Sequence, residues 1–171
     1  MSSATIRLAK INDAARMLEI QKDVITEDQY LMTTFDEFNQ TLEGKKVWIE
    51  EKLINEYETI LVAEIDNSVV GWLVFRSPNR KRIAHTGTFG MMIDKQYRGQ
   101  GLGKQLLQGL LKWAKENPLI EKVCLGVFST NENAIALYKK MGFIEEGRKI
   151  NEIKLSDNEY VDDVLMYQFV K

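Results

Sequence analysis

Residues 97–118, YRGQGLGKQLLQGLLKWAKENP, place Gly99, Gly101 and Gly103 within five positions and then run into an amphipathic helix halted at Pro118. Such a concentration of backbone freedom raises the question of what the loop holds. A Walker loop requires G-x-x-x-x-G-K followed by a hydroxyl residue. Here the interval from Gly99 to Gly103 is one residue short, and Gln105 stands where the magnesium-binding hydroxyl belongs. A dinucleotide fingerprint requires an acid at the end of the next strand, which instead reads Val127-Phe128-Ser129-Thr130. A third pattern, R-G-x-G-x-G, points loop N–H groups at an anion such as a pyrophosphate on the helix N-terminus, where the dipole and unpaired donors favour negative charge. A tight strand-to-helix turn with no ligand explains the same glycines.

The bulk numbers bound the answer. The chain has 171 residues, 44% hydrophobic and 28% charged, as expected for a single domain over 1–171 that buries its own core. A net charge of -2 gives no general attraction to nucleic acid or to anionic membrane. Cys124 is the single cysteine, which forbids an internal disulfide and fits a reducing compartment. The opening MSSATIRLAK lacks the apolar core of a signal peptide, and the expected location is the cytoplasm.

Outward from the loop, the periodicities alternate. TIRLAK (5–10) reads as a short strand. AARMLEIQKDVI is a helix capped by Asn12 or Asp13, and residues 34–55 carry a second helical stretch broken near Gly44. TILVAEID and SVVGWLVFRS form a hairpin about Asp66-Asn67, and IAHTGTFGMMID is a third strand after a charged turn at Arg80-Lys81-Arg82. KVCLGVFST is a buried strand, NENAIALYKKMGF a short helix closed by Gly142, and the remainder a hairpin about Ser156-Asp157-Asn158. The order β-α-α-β-β-β-α-β-α-β-β predicts an α+β sheet domain with one late β-α-β-α unit.

Two motifs in that unit carry a resemblance. Tyr97-Arg98-Gly99-Gln100-Gly101-Leu102-Gly103 is followed by Asn131-x-x-Ala134-x-x-Leu137-Tyr138-x-x-x-Gly142-Phe143. In this order they resemble the GNAT N-acetyltransferase superfamily, whose members use acetyl-coenzyme A, and the element order fits from residue 5 onward. The resemblance implies a mixed, mostly antiparallel twisted sheet flanked by helices. It also implies a donor cleft between the strands through Met91 and Val127. Residues 98–103 and Lys104 would hold the coenzyme pyrophosphate, and the backbone of Met91, Met92 and Ile93 would pair with the pantetheine arm. Asn131 would bond that arm, Tyr138 would donate a proton to the leaving thiolate, and a backbone N–H near Met92 would stabilise the oxyanion. No metal is expected.

The proton acceptor is less legible. Many members of the superfamily carry a glutamate on the strand before the loop, and His85-Thr86-Gly87-Thr88-Phe89-Gly90-Met91-Met92 has none. His85, the only histidine, is one candidate, since imidazole is the side chain suited to taking a proton near neutrality, and a water relay is the other route. The residues Glu146-Gly147 and Tyr160-Val161-Asp162 resemble a branch acting on free amino acids, protein N-termini and polyamines. The expected acceptor is a free amino acid or other small amine, then a polyamine, then a protein N-terminus. Asp162 or Asp163 would hold an ammonium, or else be a solvated edge carboxylate. A non-catalytic acyl-coenzyme A sensor would keep the loop without needing Tyr138. The late hairpin edges leave a homodimer open.

Overall fold

The structure, a computed structural model, describes residues 3–171. Seven strands form one sheet in the order β1-β2-β3-β4-β5-β7-β6: β1 Thr5–Leu8, β2 Thr59–Ile65, β3 Ser68–Arg76, β4 Thr86–Ile93, β5 Lys122–Phe128, β6 Ile144–Ser156 and β7 Glu159–Phe169. Every neighbouring pair is antiparallel except β4 and β5. The described residues form four α-helices, α1 Ala14–Thr26, α2 Leu42–Ile54, α3 Leu102–Glu116 and α4 Glu132–Lys140. The α+β class and the element order match the reading of the sequence. No helix among the described residues is long and apolar enough to cross a membrane.

The central strands are buried on both faces, which is why TILVA and VVGWLVF run apolar without alternation. On one face, α3 inserts Leu106, Leu107, Leu110 and Ala114 against Leu61, Leu73, Phe75, Val123 and Leu125. On the other, Met17 and Ile20 of α1 and Ile49 of α2 cover Ile60, Val62, Trp72 and Val74. From Gly71 onward, beyond a bulge in the β2–β3 pairing, even-numbered residues of β3 and those of β4 face α1 and α2, and odd-numbered ones face α3.

Local boundaries depart from the sequence reading in three places. Asp13 stands at the start of α1 but does not cap it with its side chain. Its carboxylate accepts instead from the Lys10 N–H (2.8 Å) and from both terminal nitrogens of Arg7 (2.8 and 2.9 Å). The second helical stretch does not break at Gly44. A short 3-10 turn at Phe35–Glu37 stands apart, and α2 begins after Thr41, whose hydroxyl accepts from the Gly44 N–H (3.0 Å). The third strand begins only at Thr86, because Ile83 and Thr86 donate backbone bonds to Arg80 (2.8 Å) and Ile83 (3.1 Å) and keep the chain in turns.

The parallel β4–β5 contact is short: Thr86↔Lys122, Gly87↔Val123 and Thr88↔Cys124. Gly87 is required there, since a Cβ would fall 2.2 Å from Phe75 Cζ and 2.7 Å from the Arg76 carbonyl oxygen. Gly87→Ala should destabilise the fold by about 1–3 kcal/mol, the usual cost of overpacking a core, measured by urea denaturation. A change under about 0.5 kcal/mol would show that this contact is loose.

Candidate active site

Beyond Thr88 the two parallel strands diverge, and a cleft of about 680 Å³ opens between them, within the usual range for small-molecule sites. Its walls include Phe89 to Ile93 from β4 and Gly126 and Val127 from β5. The backbone along this gap has a defined polarity. The Asp94 N–H donates to the Val70 carbonyl at 2.9 Å, and the pairing Trp72↔Met92 continues that register. In an antiparallel ladder alternate residues turn their backbone groups to opposite sides. Gly90 and Met92 therefore bond β3, while Met91 and Ile93 turn theirs toward the gap. Ile93 is partly used, its carbonyl accepting from Nε and Nη2 of Arg98 (both 3.1 Å). Met91 is left as the residue offering both N–H and C=O to an extended ligand.

The glycine loop closes one end. Gly99 and Gly101 have φ of 76° and 80°, a region that side-chain-bearing residues rarely adopt, and an added Cβ at either would meet nothing within 4 Å. Gly101 is the N-cap of α3, and the first helical bond runs from the Gln105 N–H to the Gly101 carbonyl (3.1 Å). The N–H groups of Leu102, Gly103 and Lys104 thus have no partner within the helix, and all three residues line the cleft. Positive helix-end potential, unpaired donors, open space and the exposed Lys104 make an anion cradle. Gln100 is exposed and is not among the residues lining the cleft.

Arg98 does more than add charge. Its guanidinium makes two bonds to the Glu27 carboxylate (2.7 and 2.8 Å), tying the end of α1 to the loop. That pairing holds the Glu27 carboxyl below the usual range. A second tie acts nearby: Arg16 bonds the Val69 carbonyl (2.9 Å) and pairs with Asp94, whose other oxygen caps the turn leading to the loop by accepting from Gln96 N–H (2.9 Å).

Asn131 and Tyr138 come from α4. Asn131 Oδ1 accepts from the Ala134 N–H (3.3 Å) as an N-cap, and the residue also lines the cleft, so capping leaves its amide donors for a ligand. Tyr138 packs edge-on against Phe89 (5.7 Å between centroids) and Phe143 (6.1 Å), an aromatic cluster on the α3 side of the gap. Burial pushes its phenol up to about 12, so it remains a proton donor throughout the neutral range.

His85 lies at the opposite end of β4. Its carbonyl accepts from the N–H groups of Glu121 (2.8 Å) and Lys122 (3.2 Å), where the strands are still paired. Met91 is roughly 20 Å further along, at about 3.3 Å per residue. His85 does not line the cleft.

The two adjacent acids of β7 have separate environments. Asp162 accepts from the Asn151 N–H (2.9 Å) and lies 3.8 Å from Arg148, within the outer hairpin. Asp163 points to the other face of the sheet and is 8% exposed. Its carboxylate accepts no hydrogen bond among the described residues. Burial pushes its carboxyl up, Lys149 opposes and Glu152 reinforces the shift. A Cβ on Gly126 would lie 2.9 Å from its Oδ1, so glycine at 126 is what lets this carboxylate stand against the cleft wall. A glycine inside an otherwise apolar strand signals a close approach, but the sequence cannot say by which group.

The comparisons agree with this geometry. Residues 21–143 match the model of the Acetyltransferase (GNAT) family. The chain is 29% identical over 168 residues to the L-amino acid N-acetyltransferase AaaT of Escherichia coli, covering 97% of this chain and 98% of that one. An acetyltransferase of the GNAT family from Streptococcus pneumoniae superposes with a TM-score of 0.92 at 26% identity, over 98% of this chain and 99% of that one. The fold is also that of yncA from Salmonella typhimurium, solved with its cofactor acetyl-CoA (TM-score 0.88, 20% identity, 99% and 95% covered). With its family model spanning both the glycine loop and Tyr138, the chain belongs to the GNAT acetyltransferase family and is an acyltransferase.

Proposed function

We propose that the protein transfers an acetyl group from acetyl-coenzyme A directly to the primary amine of a small acceptor, a free amino acid in the first instance. One observation carries this reading. The gap between β4 and β5 is lined by Tyr138 and by Gly126, with the anion cradle at its end, and the buried Asp163 carboxylate stands against Gly126 just outside that lining.

The donor's pyrophosphate occupies the N–H groups of residues 102–104, and its pantetheine arm donates to the exposed carbonyl of Met91 and bonds Asn131, which leaves the Met91 N–H free. This brings the thioester between the strands. The acceptor enters from the α1 and α2 side, over Gly90 and Gly126. Asp163 takes one proton from the ammonium, and its raised pKa makes it a better base than an ordinary surface carboxylate. The neutral amine attacks, the C–N bond forms, and the Met91 N–H stabilises the oxyanion. The C–S bond then breaks as Tyr138 protonates the sulfur, and Tyr138 is refilled by the second proton of the amine. Of the two protons lost by the ammonium, one ends on sulfur and one in solvent. A covalent acetyl-enzyme is disfavoured: Cys124 is off the cleft, and burial pushes its thiol up.

Tyr138→Phe should lower kcat by about 100-fold or more, the usual scale of general acid–base catalysis, while Kd for acetyl-coenzyme A stays within about twofold. Full turnover in that variant would remove Tyr138 from the mechanism. Gly101→Val forces a β-branched residue to positive φ at the cradle and should weaken acetyl-coenzyme A binding by about tenfold or more, read by calorimetry.

Asp163→Asn gives a sharper test, because activity and stability should move in opposite directions. A carboxyl whose pKa is raised in the folded state costs stability above its unfolded pKa, and that cost is relieved as pH falls through the folded pKa. The asparagine variant should therefore melt higher than the parent at pH 7. Turnover, which needs the ionised form, should fall and lose the rise with pH that the parent shows on the acid side. A variant with unchanged kcat and an unchanged pH profile would exclude Asp163 as the proton acceptor.

A further inference from the structure

A second hollow, of about 140 Å³, lies on the α1 and α2 face of the sheet, with walls that include Gln21, Lys45, Trp48, Trp72, Arg76 and Gly90. Its chemistry is unusual. Lys45 is 1% exposed, and its ammonium lies 4.2 Å from the ring centre of Trp48 and 4.5 Å from that of Trp72, donating to Gln21 Oε1 at 2.8 Å. Neither Lys45 nor Arg76 has a carboxylate partner among the described residues. Glu58, the acid whose field reaches Arg76, is already bonded by Lys52 (3.0 Å), Asn55 Nδ2 (2.8 Å) and the Ser77 N–H (3.0 Å). The indole N–H of Trp72 is buried without an acceptor.

Burying an ammonium without a counter-charge is costly, and natural interiors avoid it unless something supplies the charge. Burial, and secondarily the nearby Arg76, lower the Lys45 pKa to about 8. The hollow also communicates with the transfer site. Gly90 and Met92 line both it and the donor cleft, and a Cβ on Gly90 would meet nothing within 4 Å. At this shared β4 position no side chain stands between the hollow and the gap.

We propose that this hollow binds the carboxylate of the acceptor through Lys45 and Arg76, so that the substrate is a free amino acid whose amine reaches across Gly90 to the gap beside Asp163. The inference rests on the acetyl-transfer reading above and narrows its acceptor. A polyamine would bring ammonium groups against two cations that have no carboxylate partner among the described residues. The aromatic cage of Trp48 and Trp72 is already filled by Lys45 itself. A protein N-terminus has an amide where the free amino acid has its carboxylate, and would leave the hollow's charge unanswered.

The test compares leucine, methionine and glutamine with their carboxamides, and with spermidine, in the parent, in Lys45→Met, in Arg76→Gln and in the double variant. Methionine preserves the volume of Lys45 and removes a buried charge, so the fold should be retained; circular dichroism and melting confirm it. The parent should favour at least one acid over its amide by about tenfold or more in kcat/KM, about 1.4 kcal/mol, and the double variant should lose that preference with Kd for acetyl-coenzyme A unchanged. Equal rates for acids and amides, a preference for spermidine, or a preference undiminished in the double variant would overturn the assignment while leaving acetyl transfer standing. Trp48 and Trp72 supply a readout independent of turnover: tryptophan fluorescence of the coenzyme A-loaded protein should change saturably with the acid and not with the amide. That change without any turnover would uphold the hollow and reject the transfer reading. No change with any of the three acids would reject the hollow.

Discussion

The site exists because β4 and β5 pair over only three residues. Gly87 lets the strands close tightly onto Phe75 at one end. At the other, Phe89, Tyr138 and Phe143 fill the space beneath the separating strands with edge-to-face aromatic contacts. A sheet that continued to pair would satisfy Met91 and Ile93 internally and leave no gap. Unpaired backbone groups are costly when buried, and here they persist because they face a cleft that water or an extended ligand can fill.

That opening is held in shape by charges rather than by more sheet. Arg98 spans the Ile93 carbonyl and Glu27, and Arg16 spans Val69 and Asp94. Together they fasten α1, the end of β4 and the glycine loop into one rim. Such partly exposed pairs add modestly to stability, and their value here is positional: the cradle on α3 faces the cleft at a fixed distance from the gap. On the opposite face the logic inverts. Among the described residues Lys45, Arg76 and Asp163 have no ion-pair partner, Lys45 and Asp163 being buried and Arg76 exposed, and charged groups left unpaired beside a hollow are candidates to meet a substrate.

Much of this was legible in residue order. The switch from helical spacing to unbroken β-branched runs located the sheet, and Asp66-Asn67, both at positive φ, marked the hairpin as turn chemistry predicts. Gly99, Gly101, Asn131 and Tyr138 lie in short local motifs, and local motifs survive in sequence because backbone dihedrals and helix caps are decided by near neighbours. Even there the side chain of Asp13 escaped prediction. Arg7 and the Lys10 N–H, six and three residues earlier, hold its carboxylate instead of the helix N-terminus.

By itself, then, the sequence determined the class of fold, the cradle and its place at the start of α3, and the tyrosine one helix later. Only the tertiary structure decided the rest. It set His85 at the closed end of β4 and separated Asp163 from Asp162 by the alternation of one strand. It carried Lys45 of α2 across to Trp72 and Arg76 of β3. The reason is the same in each case: whether a charged side chain is solvated or stranded depends on what other segments bury it, and burial of that kind is a property of packing between elements far apart in the chain.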